Sequence, residues 1–207
     1  MRIAFTLAAL NGLSIETADV SNAYLNAPSR EKLITECGPE FGPALQGRWA
    51  IIQRALYGSK SAAASWRASI IGLLEKLGFP MCRADNDVMM RPGHNFNGEP
   101  VWEYVLVYSD DFLVIANEPN LIIEEINKHF KIKEGSTGEP KQYLGAAISK
   151  YQLSDGTWAW AMSSDTYIKS ALENIDSYLK KKGEQLKTKT SSPQQLETRI
   201  RYYRSTF

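Results

Sequence analysis

The sequence predicts an α+β fold, a mostly antiparallel sheet with helices packed on one of its faces. Three observations lead there. Stretches with apolar residues at helical spacing alternate with short strand-like runs. Residues 103–107 and 112–116, rich in β-branched and aromatic side chains, flank Tyr108-Ser109-Asp110-Asp111 and read as the two arms of a hairpin. No internal repeat and no long flexible linker interrupts the alternation.

Each element follows from its own pattern. Residues 1–12 read as a helix whose apolar spacing continues to Leu13, with a signal peptide as the alternative for so apolar a start. Residues 14–20 read as a strand, and 32–36 and 48–53 as short strands. Residues 62–78 form a helix with Trp66, Ile70, Leu73, Leu74 and Leu77 on one face, closed by Gly78. Strands at 88–91 and 102–108 enclose a loop holding Pro92, Gly93, Asn95, Asn97, Gly98 and Pro100, and 111–116 completes the hairpin. Residues 120–130 read as a helix with Leu121, Ile122, Ile126 and Phe130 apolar. Strands near 131–134, 142–151 and 157–163 precede a last helix over 164–182. The order contains the split β-α-β-β-α-β arrangement of ferredoxin-like folds.

Composition sets bounds rather than a function. The chain has 207 residues, 43% of them hydrophobic, enough for one large domain or a domain with an appended subdomain. No apolar run approaches the ~20 residues that span a bilayer, so no membrane contact is expected. Cys37 and Cys82 are too few and too separated for a disulfide framework or a zinc site, and His94 and His129 lack metal-ligand spacing. A net charge of +1 is low for a protein that displaces counterions from phosphates. A basic excess gathers from residue 180 onward, in Lys180, Lys181, Lys182, Lys187, Lys189, Arg199, Arg201 and Arg204. We read residues 183–207 as a basic polar tail, with the solvated composition of a disordered terminus over 183–198.

The chemistry concentrates in aspartates. At a hairpin tip, Asp110 and Asp111 would be held by a rigid sheet, and like charges so close raise one pKa unless a cation neutralises them. Two readings stand at this point: an exposed acidic turn, or a metal site between flanks too apolar for an ordinary surface loop. Asp19 closes a second extended segment, followed by a turn-like Ser21-Asn22 and then Tyr24. A divalent ion that also holds substrate phosphates takes carboxylates from separate elements, which makes Asp19 a candidate third ligand.

These motifs resemble, in order, those of the reverse transcriptases of Copia-type (Pseudoviridae-like) retrotransposons. Asp19-Val20-Ser21-Asn22-Ala23-Tyr24-Leu25 is similar to the family's first catalytic motif. Leu56-Tyr57-Gly58-Ser59-Lys60-Ser61-Ala62-Ala63-Ala64-Ser65-Trp66 resembles its Leu-Tyr-Gly-Leu-Lys-Gln-Ala-Pro-Arg-Ala-Trp segment. Tyr108 to Asp111 matches Tyr-x-Asp-Asp, and Phe130-Lys131-Ile132-Lys133 with Tyr143-Leu144-Gly145 resembles the segment ending in Phe-Leu-Gly. Ser163-Ser164-Asp165-Thr166-Tyr167-Ile168 is similar to the start of the family's Ser-Gln-x-x-Tyr-Ile helix. The likeness runs from about residue 1 to 193, with Tyr203-Arg204-Ser205 as a last trace.

The resemblance implies a polymerase palm with partial fingers over residues 1–182 and a connection-like C-terminal segment. It implies an RNA-directed DNA polymerase using two Mg2+ ions, or Mn2+, to join dNTPs to a primer 3′-hydroxyl on an RNA or DNA template. Asp19, Asp110 and Asp111 take the catalytic, metal-holding positions, Asp19 and Asp110 bridging both ions and Asp111 assisting, with the Val20 carbonyl completing one coordination sphere. Tyr24 matches the aromatic that excludes a 2′-hydroxyl, and Gly58 and Lys60 match contacts to the nascent base pair. Tyr143, Leu144 and Gly145 match the primer grip. Ribonuclease H and integrase regions of a parent polyprotein are the implied neighbours, and the cytoplasm, inside a virus-like particle for an active element, the implied location.

Departures qualify the match. Ser59, Ser61, Ala63 and Ala64 replace Leu, Gln, Pro and Arg, which removes one cation, and Ser109 replaces Val in the signature. Residue 1 falls just before the first catalytic strand, so the basic fingers hairpin is expected to be missing, and no ribonuclease H carboxylate cluster follows. A truncated fragment inactive alone is therefore expected. A non-catalytic nucleic-acid-binding or structural relic is the alternative, favoured if Asp19 lies far from Asp110 or pairs with Lys or Arg. An RNA-templated RNA polymerase is argued against by Tyr108, where Gly is usual, and by Tyr24 near the sugar. Trp102, Trp158 and Trp160, at strand spacing, are assigned to packing rather than base stacking.

Overall fold

The computed structural model describes residues 2–185, in two compact units divided after Ser163. In the first unit, helix α1 (Arg2–Asn11) leads into strand β1 (Ser14–Asp19), and a 3-10 turn at Ala23–Asn26 leads into the ribbon β2 (Pro28–Glu36) and β3 (Trp49–Arg54). Helix α2 (Ala62–Lys76) is followed by strands β4 (Val88–His94), β5 (Pro100–Tyr108) and β6 (Asp111–Ala116) and helix α3 (Pro119–Asn127). Strands β7 (Gln142–Tyr143), β8 (Ala146–Gln152) and β9 (Trp158–Ser163) form a three-stranded sheet. The second unit, as described, is helix α4 (Asp165–Lys181), whose Ile168, Leu172 and Ile175 are exposed and whose Lys180 pairs with Asp176. The expected tail from residue 183 lies outside the described residues beyond 185.

The central sheet runs β1-β6-β5-β4, antiparallel throughout. Strand β6 explains the layering, because successive side chains of a strand point to opposite faces. Phe112, Val114 and Ala116 join a core with Trp66, Ile70 and Leu74 of α2 and Ile122, Ile123 and Ile126 of α3. Leu113 and Ile115 join a second core with Phe5 and Ala8 of α1, Tyr143 and Ile148. The expectation of helices on one face is thus corrected: α2 and α3 share a face, whereas α1 lies on the other beside the small sheet. Periodicity gives a helix its apolar stripe but not the face of the sheet that receives it. All five of these β6 side chains are fully buried, each burial favouring the fold by roughly 1.5–3 kcal/mol for the larger residues.

Other differences have local causes. Pro92 and Gly93, expected in a loop, pair with Trp102 and Val101 inside β4, which is an edge strand and so tolerates a residue without an N–H. Gly93 is also where a Cβ would lie 2.6 Å from the Glu103 side chain. That side chain is held by Arg91, whose Nε donates to Glu103 Oε2 at 2.8 Å and whose guanidinium covers the Phe79 ring. The strand expected at 131–134 is instead an irregular segment that covers the outer edge of β1 through isolated bridges Val20↔Ile132 and Thr17↔Gly138. The strand expected at 142–151 is broken by a turn at Leu144-Gly145. Trp160 packs edge-to-face on Phe5, but Trp102 and Trp158 are exposed.

Candidate active site

The end of β1 and the start of β6 bring the aspartates together. Asp19 and Asp111 are direct register partners, so their side chains leave the same face of the sheet. Asp111 also pairs with Tyr108 across the hairpin, which leaves Ser109-Asp110 as a two-residue turn. Ser109 has φ +57° while Asp110 does not adopt a positive φ, the sign pattern of a type II′ turn, whose first central position favours Gly. Two hydrogen bonds hold this turn. The Trp66 indole Nε1 donates to the Ser109 carbonyl at 2.7 Å, and the Val20 N–H donates to the Asp110 carbonyl at 3.0 Å. The second bond ties the residue after Asp19 directly to Asp110.

Electrostatics agrees with this convergence. Burial pushes the Asp111 carboxyl above its usual value, and the charges of Asp110 and Asp19 push it further in the same direction, while Lys133 opposes them. The Tyr57 hydroxyl is raised by burial and then by the field of Asp110. The Tyr143 hydroxyl is likewise raised, by burial and then by Asp111. Carboxylate oxygens are hard donors suited to Mg2+, so the donor set fits a divalent ion. Among the described residues, however, no three His, Cys, Asp or Glu side chains are already gathered closely enough to hold one. Asp19 Oδ2 is instead paired with Lys133 Nζ at 3.3 Å.

Two clefts are lined by residues of these elements. A cleft of about 360 Å³ is lined by Asp19, Asp111, Ser136, Tyr143, Leu144 and Gly145, which joins the expected primer-grip residues to two of the carboxylates. Leu144 and Gly145 both have positive φ, 48° and 78°, in a tight turn between β7 and β8. Glycine accepts that backbone freely, whereas a bulky Leu in it is an outlier. A second cleft, about 300 Å³, is lined by Tyr24, Trp66, Met89, Val107, Tyr108 and Ser109. Tyr24 is half-buried and its ring meets that of Tyr57 at 4.5 Å between centroids.

The remaining expected residues fall differently. Val20 is 1% exposed and lies between β6 and the 131–133 segment. Gly58 has φ +92°, a backbone conformation that glycine adopts freely, with no protein atom within 4 Å of where a Cβ would be. Lys60 is exposed and lies in the field of Glu31, whose carboxylate accepts the Ser61 N–H at 2.6 Å beside the start of α2.

Sequence reasoning assigned no role to four residues that shape the site. Trp66 stands in the sequence as an apolar helix position and as the end of the Leu56–Trp66 segment, and neither signals that it supplies the turn's donor. Tyr57 backs Tyr24. Lys133 and Ser136 reach Asp19 from 114 and 117 residues away: the Lys133 N–H donates to the Asp19 carbonyl at 2.8 Å, and Ser136 Oγ accepts the Asp19 N–H at 3.0 Å. The only signal for Lys133 was its place in the Phe-Lys-Ile-Lys segment.

The family description reverse transcriptase (RNA-dependent DNA polymerase) matches residues 1–179. The retrovirus-related Pol polyprotein from transposon TNT 1-94 of Nicotiana tabacum is 25% identical over 180 residues, 85% of this chain and 13% of that protein. The retrovirus-related Pol polyprotein from transposon RE1 of Arabidopsis thaliana is 25% identical over 138 residues, 65% of this chain and 9% of that protein. The putative transposon Ty5-1 protein YCL074W of Saccharomyces cerevisiae is 29% identical over 149 residues, 67% of this chain and 43% of that protein. The chain thus spans less than half the length of each of these relatives.

Proposed function

Because the chain belongs to the reverse transcriptase (RNA-dependent DNA polymerase) family, as a domain of a retrotransposon polyprotein, we propose that its aspartate cluster is the site of metal-dependent addition of dNTPs to a primer 3′-hydroxyl. The observation that carries this reading is the pairing of Asp19 with Asp111 beside a turn whose Asp110 carbonyl is bonded to Val20. The sheet order supports a palm: residues 131–133 bridge β1, which pairs β6, which pairs β5, the strand order of a ferredoxin-like split.

Asp19, Asp110 and Asp111 would hold two Mg2+ ions, or Mn2+. Such ions stabilise charge on the transferring phosphoryl group and lower the pKa of the attacking hydroxyl. The chain's own residues supply the positioning. The Tyr24 ring, backed by Tyr57, forms a wall against a ribose 2′-hydroxyl in the cleft beside Ser109. The β7–β8 turn presents Leu144 at the other cleft, where an apolar contact would seat the primer end near Asp19 and Asp111. The template-primer, the ribonuclease H and integrase regions of a parent polyprotein and a cytoplasmic particle belong to the same proposal. Among the described residues no helix is long and apolar enough to cross a membrane.

The Asp19–Lys133 ion pair favours a second reading, a relic that keeps the fold and has replaced the metal with an internal cation. Primer extension on an RNA template with Mg2+ separates the two. The first reading expects extension that Asp110→Asn reduces by at least about 10³-fold, a loss of some 4 kcal/mol of transition-state stabilisation. Extension that survives Asp110→Asn would overturn the first reading, and absence of Asp110-dependent extension by the chain within its parent polyprotein would favour the relic.

A further inference from the structure

Lys133 is fixed at the carboxylate cluster by its backbone, not by its ammonium. Its N–H donates to the Asp19 carbonyl at 2.8 Å, its carbonyl accepts the Ser136 hydroxyl at 2.8 Å, and Ser136 Oγ in turn accepts the Asp19 N–H at 3.0 Å. The ammonium contact is looser, at 3.3 Å, beyond the 2.7–2.9 Å usual for charge-assisted bonds. The Lys133 side chain is 65% exposed, against 26% for Asp19. A rotation of the lysine stem alone can therefore free Asp19 without moving the backbone.

We propose that Lys133 is a displaceable internal counter-ion that occupies Asp19 until a divalent cation takes its place, and so sets the cation concentration at which the cluster loads. The inference rests on the metal reading of the preceding section. The magnitude decides between a placeholder and a lock. An exposed ion pair shifts an equilibrium by only about two- to fivefold, because water and salt screen it. A buried pair with further partners does not yield so easily. Arg91–Glu103 is closer to that second kind, at 2.8 Å, with side chains 35% and 12% exposed and Arg91 also bonded to the Leu77 carbonyl. Lys133 has no such enclosure. One ammonium offsets only part of the charge of three aspartates, and a divalent ion that coordinates them directly would offset more.

The test is a titration of the chain with Mn2+, read as free Mn2+ by electron paramagnetic resonance, with no nucleotide or primer present. Lys133→Met should bind Mn2+ about two- to fivefold more tightly than the wild type, and Lys133→Arg should stay near the wild type. Lys133→Gln, on an exposed stem, gives the same comparison should the Met variant fold poorly. Binding in Lys133→Met and Lys133→Gln that equals or falls below the wild type overturns the proposal while leaving the metal reading standing. If Asp110→Asn leaves Mn2+ binding unchanged in every chain, the metal reading itself fails and the proposal with it.

Discussion

Trp66→Phe tests whether the aspartate turn is held from outside the hairpin. Trp66 is 2% exposed, its Nε1 donates to the Ser109 carbonyl at 2.7 Å, and its ring meets Phe130 edge-on at 5.0 Å. The substitution keeps an aromatic ring but removes the donor. Ser109 is exposed, so water can reach its freed carbonyl and the lost bond costs about 1 kcal/mol, the lower part of the range. The smaller ring leaves part of the indole volume empty where Trp66 packs in the core beside the second cleft, adding about 1–2 kcal/mol. A total loss of about 2–3 kcal/mol should appear in urea unfolding as a lower midpoint at unchanged slope. The Val20 amide, bonded to the Asp110 carbonyl at 3.0 Å, is the local reporter and should exchange faster with solvent. Phe130→Leu is the control: it removes the ring contact and some stability but leaves the indole bond and the Val20 protection in place. A stability loss below about 0.5 kcal/mol in Trp66→Phe, or Val20 protection equal in both variants, would refute the tether.

Two further outcomes follow from the same geometry. Asp111 has a carboxyl raised above 3.8 by burial and by Asp110 and Asp19, so the folded chain binds this proton more readily than the unfolded chain. Its contribution to stability therefore falls as pH rises from 3.8 through the raised folded value. Asp111→Asn should stabilise the metal-free chain at pH 7, remove that part of the pH dependence and abolish thermal stabilisation by Mg2+; thermal melts across pH with and without Mg2+ check all three, and a destabilised metal-free Asn variant would contradict the sign. Leu144→Asn should relieve the positive φ of 48° at an exposed turn and raise stability by about 0.5–1 kcal/mol in urea unfolding. A loss of stability there would mean that the Leu144 side chain contributes more than its backbone costs.

Much of this arrangement is legible in the sequence where a pattern is long or chemically unusual. The β5–β6 hairpin follows from two β-branched runs around Tyr108–Asp111, and the buried face of α2 follows from Trp66, Ile70, Leu73 and Leu74. Asp19 was found because an aspartate ending an extended run is chemically conspicuous. Lys133 was not, because its place beside Asp19 depends on a backbone bridge between Val20 and Ile132, far apart in sequence, which the Phe130–Lys133 segment by itself does not reveal. Pro92 and Gly93 read as loop because their meaning depends on whether a strand is central or at an edge, a property of the assembled sheet. The role of Trp66 was hidden by its dual nature, since the same side chain satisfies an apolar helix stripe and donates one hydrogen bond.

The proposal that Asp19, Asp110 and Asp111 form a single divalent-cation site is decided by anomalous scattering from crystals of the chain grown or soaked with Mn2+. The expected result is a peak bounded by all three carboxylates, with the Lys133 ammonium withdrawn from Asp19. A Mn2+-saturated crystal with no peak there and Lys133 still paired to Asp19 would contradict it.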